Sequence, residues 1–213
     1  MFISTRRRLL LALSLFAFAP IIGAQQPNDF LAAVANDRGV AVTAMLAKGI
    51  DPNTVDANGE PVLIAAARNN SGTVVAALIA GKANVNARNP FGDTALAIAA
   101  LKGYLPIAKA LVAAGADVNG GAWPPITYAA TGGSDEMTSW LLKQGAAING
   151  TSPNHTTALM MAAREGKFST AVLLIQAGAD VNVHNDAGLT AMEFAKRGND
   201  TELAAKLAAA GAK

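Results

Sequence analysis

The chain has no cysteine, only two histidines, and few aromatics at 5% of its residues. Without a thiol there can be no disulfide, no thiolate nucleophile and no cysteine-held zinc. His155 and His184 alone are too few ligands for a metal ion without help from carboxylates such as Asp180 or Asp186. Charged residues are also sparse, and the two signs nearly balance at 17 basic against 15 acidic. No nucleophile motif is present, and Gly120-Gly121 and Gly132-Gly133 follow no strand that would make them phosphate loops. A membrane-spanning run is missing too. The longest apolar stretch, 9–24, is interrupted by Pro20 and falls short of the ~20 residues a span requires. These absences argue against an enzyme.

What is present begins with a leader. Arg6-Arg7-Arg8 precedes the apolar run Leu9–Ala19, then Pro20 and Ile22-Gly23-Ala24. This is the layout of a secretory signal peptide over 1–24, cut after Ala24. Thr5-Arg6-Arg7-Arg8-Leu9-Leu10 is also similar to a twin-arginine export signal. Three of the 17 basic residues leave with the leader, so residues 25–213 carry 14 basic against 15 acidic, a net charge of −1. That balance gives no reason to expect a nucleic-acid partner. Once the leader is removed no membrane anchor remains. A cysteine-free exported chain suits a bacterial periplasmic or secreted protein, because exported eukaryotic domains commonly carry disulfides. The remaining length fits one domain.

That domain is periodic. Gly115-Ala116-Asp117-Val118-Asn119 recurs as Gly178-Ala179-Asp180-Val181-Asn182, with looser copies ending at Asn53, Asn86 and Asn149. The closing asparagines are spaced 33, 33, 30 and 33 residues apart. A fixed period of this size signals a stacked repeat array. Within one unit, Thr94 is placed to cap a first helix that Gly103 ends. Pro106 sits in the first turn of a second helix, whose Ile107, Leu111 and Val112 form a buried stripe. Asp117-Val118-Asn119 then leads into an extended finger.

This unit resembles the ankyrin repeat. The matching helix starts are Thr94-Ala95-Leu96, Thr157-Ala158-Leu159 and Thr190-Ala191-Met192, with weaker ones at Pro61-Val62-Leu63 and Pro124-Pro125-Ile126. The resemblance implies an all-α solenoid over 25–213, with about six helix-turn-helix units and β-hairpin-like fingers. The units fall at approximately 27–53, 58–86, 91–119, 121–149, 154–182 and 187–213. No unit has the family's histidine at the helix start. Asn69-Asn70-Ser71-Gly72 reads as carrying one extra turn residue. The finger after Asn119 is three residues short, and the final helix has Asp200, Glu202 and Lys206 on its outer side as an end unit needs.

The resemblance also places partner contacts at the finger tips and the exposed end of each first helix. At the helix ends, Arg68, Lys102, Arg164 and Lys196/Arg197 recur in four units and predict a basic row facing an acidic partner surface. The competing account is that cations sit well near any helix C-terminus. At the tips, Phe91 and Trp123 stand on adjacent fingers, where exposed aromatics would anchor a partner. Trp123 could instead fold down over the shortened finger. Trp140 reads as packing. The expected function is that of a monomeric, cofactor-free protein-binding module that inhibits, protects or assists an enzyme. By resemblance, the candidate partners are a cell-wall hydrolase or an oxidative-stress enzyme such as catalase. Two other readings are a secreted effector binding host proteins, and a metal or small-molecule site at the His155/His184 fingers.

Overall fold

The computed structural model describes residues 26–213, and the predicted leader lies outside the described residues. Twelve helices follow in pairs, an inner and an outer one per unit: α1 (Gln26–Ala35) with α2 (Gly39–Ala47), α3 (Val62–Arg68) with α4 (Gly72–Ala80), α5 (Ala95–Lys102) with α6 (Leu105–Ala113), α7 (Pro125–Gly132) with α8 (Asp135–Lys143), α9 (Ala158–Arg164) with α10 (Phe168–Gln176), and α11 (Ala191–Arg197) with α12 (Thr201–Ala209). The inner helices stack on one another in sequence order, and the outer helices form a second row behind them. Among the described residues no helix is long and apolar enough to cross a membrane.

Local chemistry sets each start and each packed face. Thr94, Thr157 and Thr190 cap α5, α9 and α11 by accepting the N–H groups of Ala97, Met160 and Glu193. Pro61 and Pro124 take the same place before α3 and α7, with no side-chain cap. The alanine pairs of the inner helices, such as Ala99-Ala100 and Ala129-Ala130, are buried and let the backbones come close. Every outer helix from α4 onward drives a leucine into the core at the same position, Leu78, Leu111, Leu141, Leu174 and Leu207, all 0% exposed, and α12 adds Leu203. Burying a leucine in this way contributes about 1.5–3 kcal/mol.

The turn between paired helices corrects one sequence expectation. Asn69-Asn70-Ser71-Gly72 holds no extra residue, because Pro61 to Gly72 covers the same distance as Thr94 to Leu105 or Thr157 to Phe168. What differs is the residue in the left-handed position. Asp37, Asn70, Gly103, Gly133, Gly166 and Asn199 occupy it in the six units, with φ between 52° and 76°. Asparagine and aspartate tolerate this region better than other side chains, so Asn70 replaces the glycine directly.

A second left-handed position follows each outer helix. Glycine fills it at 49, 115, 145, 178 and 211, but the second unit puts Lys82 there at φ 67°. The glycine has moved one place earlier: a Cβ on Gly81 would lie 2.9 Å from Leu46 Cδ1 of the preceding unit. Lys82 therefore holds the left-handed conformation without the freedom that glycine has in the other units.

The asparagines that close each unit tie it to the next. The Oδ1 atoms of Asn53, Asn86, Asn119, Asn149 and Asn182 accept the N–H groups of Asn84, Asp117, Ala147, Asp180 and Lys213 at 2.7–3.0 Å. Asn86, Asn119 and Asn182 also donate from Nδ2 to the carbonyls of Gly115, Gly145 and Gly211. The short fourth unit keeps this register, because its missing residues come only from the finger.

The stack is uneven at that unit. Inner helices α5 and α7 pack more closely than any other neighbours in the row, while α6 and α8 touch only lightly. A Cβ on Gly132 would lie 2.3 Å from the Leu101 carbonyl oxygen, so only glycine allows the approach. Thr127 and Thr138, both in this unit, bury hydroxyls that find no partner among the described residues.

Two stability outcomes follow. Lys82→Gly should raise stability by about 1 kcal/mol by relieving the left-handed strain, read as a higher midpoint in urea. Asn86→Ala, which removes two inter-unit bonds, should cost about 1–2 kcal/mol and roughly twice as much as Asn53→Ala, which removes one. Equal losses for the two asparagine variants would contradict the ladder.

Candidate functional site

The fingers stand on small polar anchors. Asp56 Oδ1 accepts the N–H groups of Asn58 and Glu60 at 2.8 and 2.9 Å. Asn89 Oδ1 does the same for Phe91 and Asp93 at 3.0 and 2.9 Å, and Asn185 Oδ1 for Ala187 and Leu189 at 3.1 and 2.9 Å. The N–H of Glu60 above all holds the Asp56 carboxyl below its ordinary range. Single antiparallel bridges at Val55 and Pro61, Arg88 and Thr94, and Thr151 and Thr157 close three of the fingers.

The shortened finger has no such anchor and leans on its neighbour instead. The Ala122 N–H donates to the Gly92 carbonyl at 2.9 Å. A Cβ on Gly92 would lie 2.7 Å from that of Ala122, so the two fingers touch where glycine leaves room. Trp123 is half-buried and lies against Tyr128, with ring centroids 6.4 Å apart and planes at 51°. Tyr128 in turn donates its hydroxyl to Asp93 Oδ1 on the preceding unit. The other oxygen of Asp93 accepts from Asn89 Nδ2 at 3.3 Å. Trp123 therefore folds partly down, and the finger defect is filled by an aromatic–carboxylate cluster. Phe91 does not join it: the ring is 82% exposed at the tip of its finger.

Tyr128 and Asp93 were not legible as partners. The signal lay in an aromatic hydroxyl at Tyr128, where the other units have Ala65, Ile98, Met161 and Phe194.

The basic side chains are all exposed, and all lie in the last turn of an inner helix. Helix register sorts them. Counted from the residues that precede each helix, Arg68, Arg164 and Arg197 share one position, which Leu101 and Thr131 hold in the third and fourth units. Lys102 is one residue later and Lys196 one residue earlier, a rotation of about 100° each. They are therefore not strictly equivalent, and the row is broken in the middle. Two members are already engaged: Arg68 reaches Glu60 at 2.6 Å, and Arg164 reaches its neighbour Glu165 at 2.9 Å. Lys102, Lys196 and Arg197 form no ion pair among the described residues.

Among the described residues no three His, Asp or Glu side chains converge as metal ligands. His155 adopts the left-handed conformation, φ 59°, that glycine holds in the other full-length fingers. Its Nδ1 lies 2.6 Å from Asp186 Oδ1 of the next finger, whose backbone N–H donates to the Asn154 carbonyl. His184 is exposed. Trp140 packs against the core from α8.

The aromatic cluster has a titration consequence. Burial first, then the hydrogen bond to Asp93 and its charge, push the Tyr128 hydroxyl above its ordinary range. Its folded-state pKa exceeds the unfolded value of about 10, so the stability it contributes is complete below pH ~10 and is lost as pH rises further. Chemical denaturation between pH 9 and 11 should show a steeper loss for the unaltered protein than for Tyr128→Phe. Parallel losses would contradict the assignment.

Comparison with known proteins agrees with this architecture. A family model described as ankyrin repeats (three copies) matches residues 30–122 and 119–185. A putative ankyrin repeat-containing protein of Treponema pallidum (strain Nichols) is 40% identical over 73 residues, covering 34% of this chain and 24% of that protein. Protein HOS4 of Saccharomyces cerevisiae (strain ATCC 204508 / S288c) is 42% identical over 65 residues, covering 30% of this chain and 6% of that one. The chain thus matches a quarter or less of the length of these curated relatives. Among solved structures, the human ASB11 ankyrin repeat domain superposes with a TM-score of 0.77 at 25% identity, covering 86% of this chain and 84% of that one. An ankyrin repeat domain from Acinetobacter baumannii AYE superposes with a TM-score of 0.76 at 27% identity, covering 87% and 98%. Helix pairs, left-handed turns, asparagine junctions and these matches agree, and the chain belongs to the ankyrin repeat family, whose repeats are protein–protein interaction modules.

Proposed function

We propose that this chain is a non-catalytic binding module, exported to the periplasm or beyond and freed of residues 1–24, that grips another protein on its inner face and finger tips. Ankyrin repeat domains are in general non-catalytic binding modules, and nothing points to catalysis here. The observation that carries the reading is Phe91, 82% exposed on a rigid finger beside the shortened one. Large aromatics on a fixed scaffold supply binding energy at little entropic cost, and a ring so exposed contributes little to the fold. Lys102, Lys196 and Arg197 are also exposed, in the last turns of α5 and α11, and form no ion pair among the described residues. They favour a partner with an acidic surface. The partner would be an enzyme of the same compartment that the array inhibits, protects or assists.

Capture from a periplasmic extract tests the surface. Immobilised protein should retain a partner that Phe91→Ala combined with Arg197→Glu loses about tenfold or more, while both fold equally well by circular dichroism. Retention unchanged by that pair would sink the surface. Mass spectrometry of the exported protein should find Gln25 at its N-terminus.

A further inference from the structure

The first unit holds a small cleft of opposite character. Its floor is apolar: Leu31 and Val34 from the last turns of α1, Val62 and Ala65 from α3. Asp56 and Glu60 of the first finger form its rim, around a volume of about 180 Å³. This is room for a single long side chain.

Three observations define what fits. First, the carboxylates are unequally occupied. Arg68 forks onto Glu60, at 2.6 Å to Oε2 and 3.4 Å to Oε1, so Oε1 is the more weakly held of the two oxygens. Asp56 uses Oδ1 for both backbone bonds of its finger turn, which leaves Oδ2 free of backbone donors. The rim therefore keeps one net negative charge after Arg68 is counted. Second, the Glu60 N–H above all holds the Asp56 carboxyl below its ordinary range, which favours its charged form. Third, α1 has no cation of its own. Helices α3, α5, α9 and α11 carry Arg68, Lys102, Arg164 and Lys196/Arg197 in their last turns, but α1 carries none beside the negative end of its dipole.

We infer that this cleft is a subsite for an arginine or lysine side chain of the bound protein. The aliphatic stem lies on Leu31, Val34 and Val62, and the cationic head reaches Asp56 Oδ2 and Glu60 Oε1. Stem and head are matched separately, as long cationic side chains require. The two carboxylates are too few oxygens for a calcium ion, which takes six to eight. The inference rests on the inner face being the docking surface. It adds that the partner presents an exposed basic residue to the first unit as well as acidic ground to the later ones.

The test needs no partner. The peptide acetyl-Gly-Arg-Gly-amide is titrated into the ¹⁵N-labelled full chain, with the citrulline peptide as the neutral isostere. The amides of Glu60, Ala65 and Asn69 should shift with the arginine peptide, and citrulline should bind about tenfold more weakly. Asp56→Asn keeps the turn acceptor Oδ1 and should weaken the arginine peptide by a similar factor. Ala65→Leu, which fills the floor and leaves every charge in place, should abolish the shifts. Equal binding of the two peptides, or unchanged binding by both variants, would overturn the inference. So would the same shifts on adding Ca²⁺ alone, or arginine binding only after residues 1–24 are removed, which would make Arg6–Arg8 the occupant. Loss of capture in the extract with intact peptide binding would instead count against the wider docking surface.

Discussion

One hydrogen bond recurs at every junction of the array: the side-chain oxygen of a closing asparagine accepts a backbone N–H near the end of the next unit. Everything else is arranged so that this bond can be made. The left-handed residue after each outer helix turns the chain back, so that the next aspartate or asparagine arrives beside the previous one. The aspartate two residues earlier holds the asparagine's own N–H, as Asp51, Asp117 and Asp180 do. In the fourth unit that aspartate is Ala147, and its help is missing while the bond to Asn119 remains. A bond that survives loss of a neighbour and a three-residue deletion is set by the helix stack, which places the partners within reach before the hydrogen bond forms. The apolar stacking supplies most of the energy, and the asparagine ladder sets the register.

The inner face shows how a structural need and a binding surface can share the same residues. A cation in the last turn of a helix is stabilised by that helix whether or not a partner exists. This accounts for the placement of Arg68, Lys102, Arg164, Lys196 and Arg197 without invoking function. Among the described residues Arg68 and Arg164 are ion-paired and Lys102, Lys196 and Arg197 are not, so the last three are the ones left open to a partner. The finger region divides in the same way. Trp123 and Tyr128 close a gap in the scaffold, and Phe91 on the adjoining finger closes nothing.

The period of the asparagines and the helix-start pattern made the fold readable before any coordinates, because each unit must repeat the same buried positions. The site was less readable for a physical reason. Whether a finger aromatic is exposed depends on its neighbours in space. Trp123 meets Tyr128, which meets Asp93 of another unit, a chain of contacts that no linear spacing announces. The repeat pattern fixes the helix ends only to within a residue, and the basic row is continuous only at that precision. On a helix one residue is about 100°, which separates Lys102 from Arg68 and Arg164. The cleft of the first unit combines residues 31 and 34 with 56 and 60, and its clue in the sequence was an absence, the missing cation at the end of α1.

The tight approach of α5 to α7 at Gly132 coincides with slack between α6 and α8. In a solenoid each unit touches only its neighbours, so the geometry of one joint is handed on to everything beyond it. Pinched along the inner row and slack along the outer row, this joint tilts the last three units relative to the first three. The residue that shapes the surface offered by both halves is then a glycine with no side chain to offer.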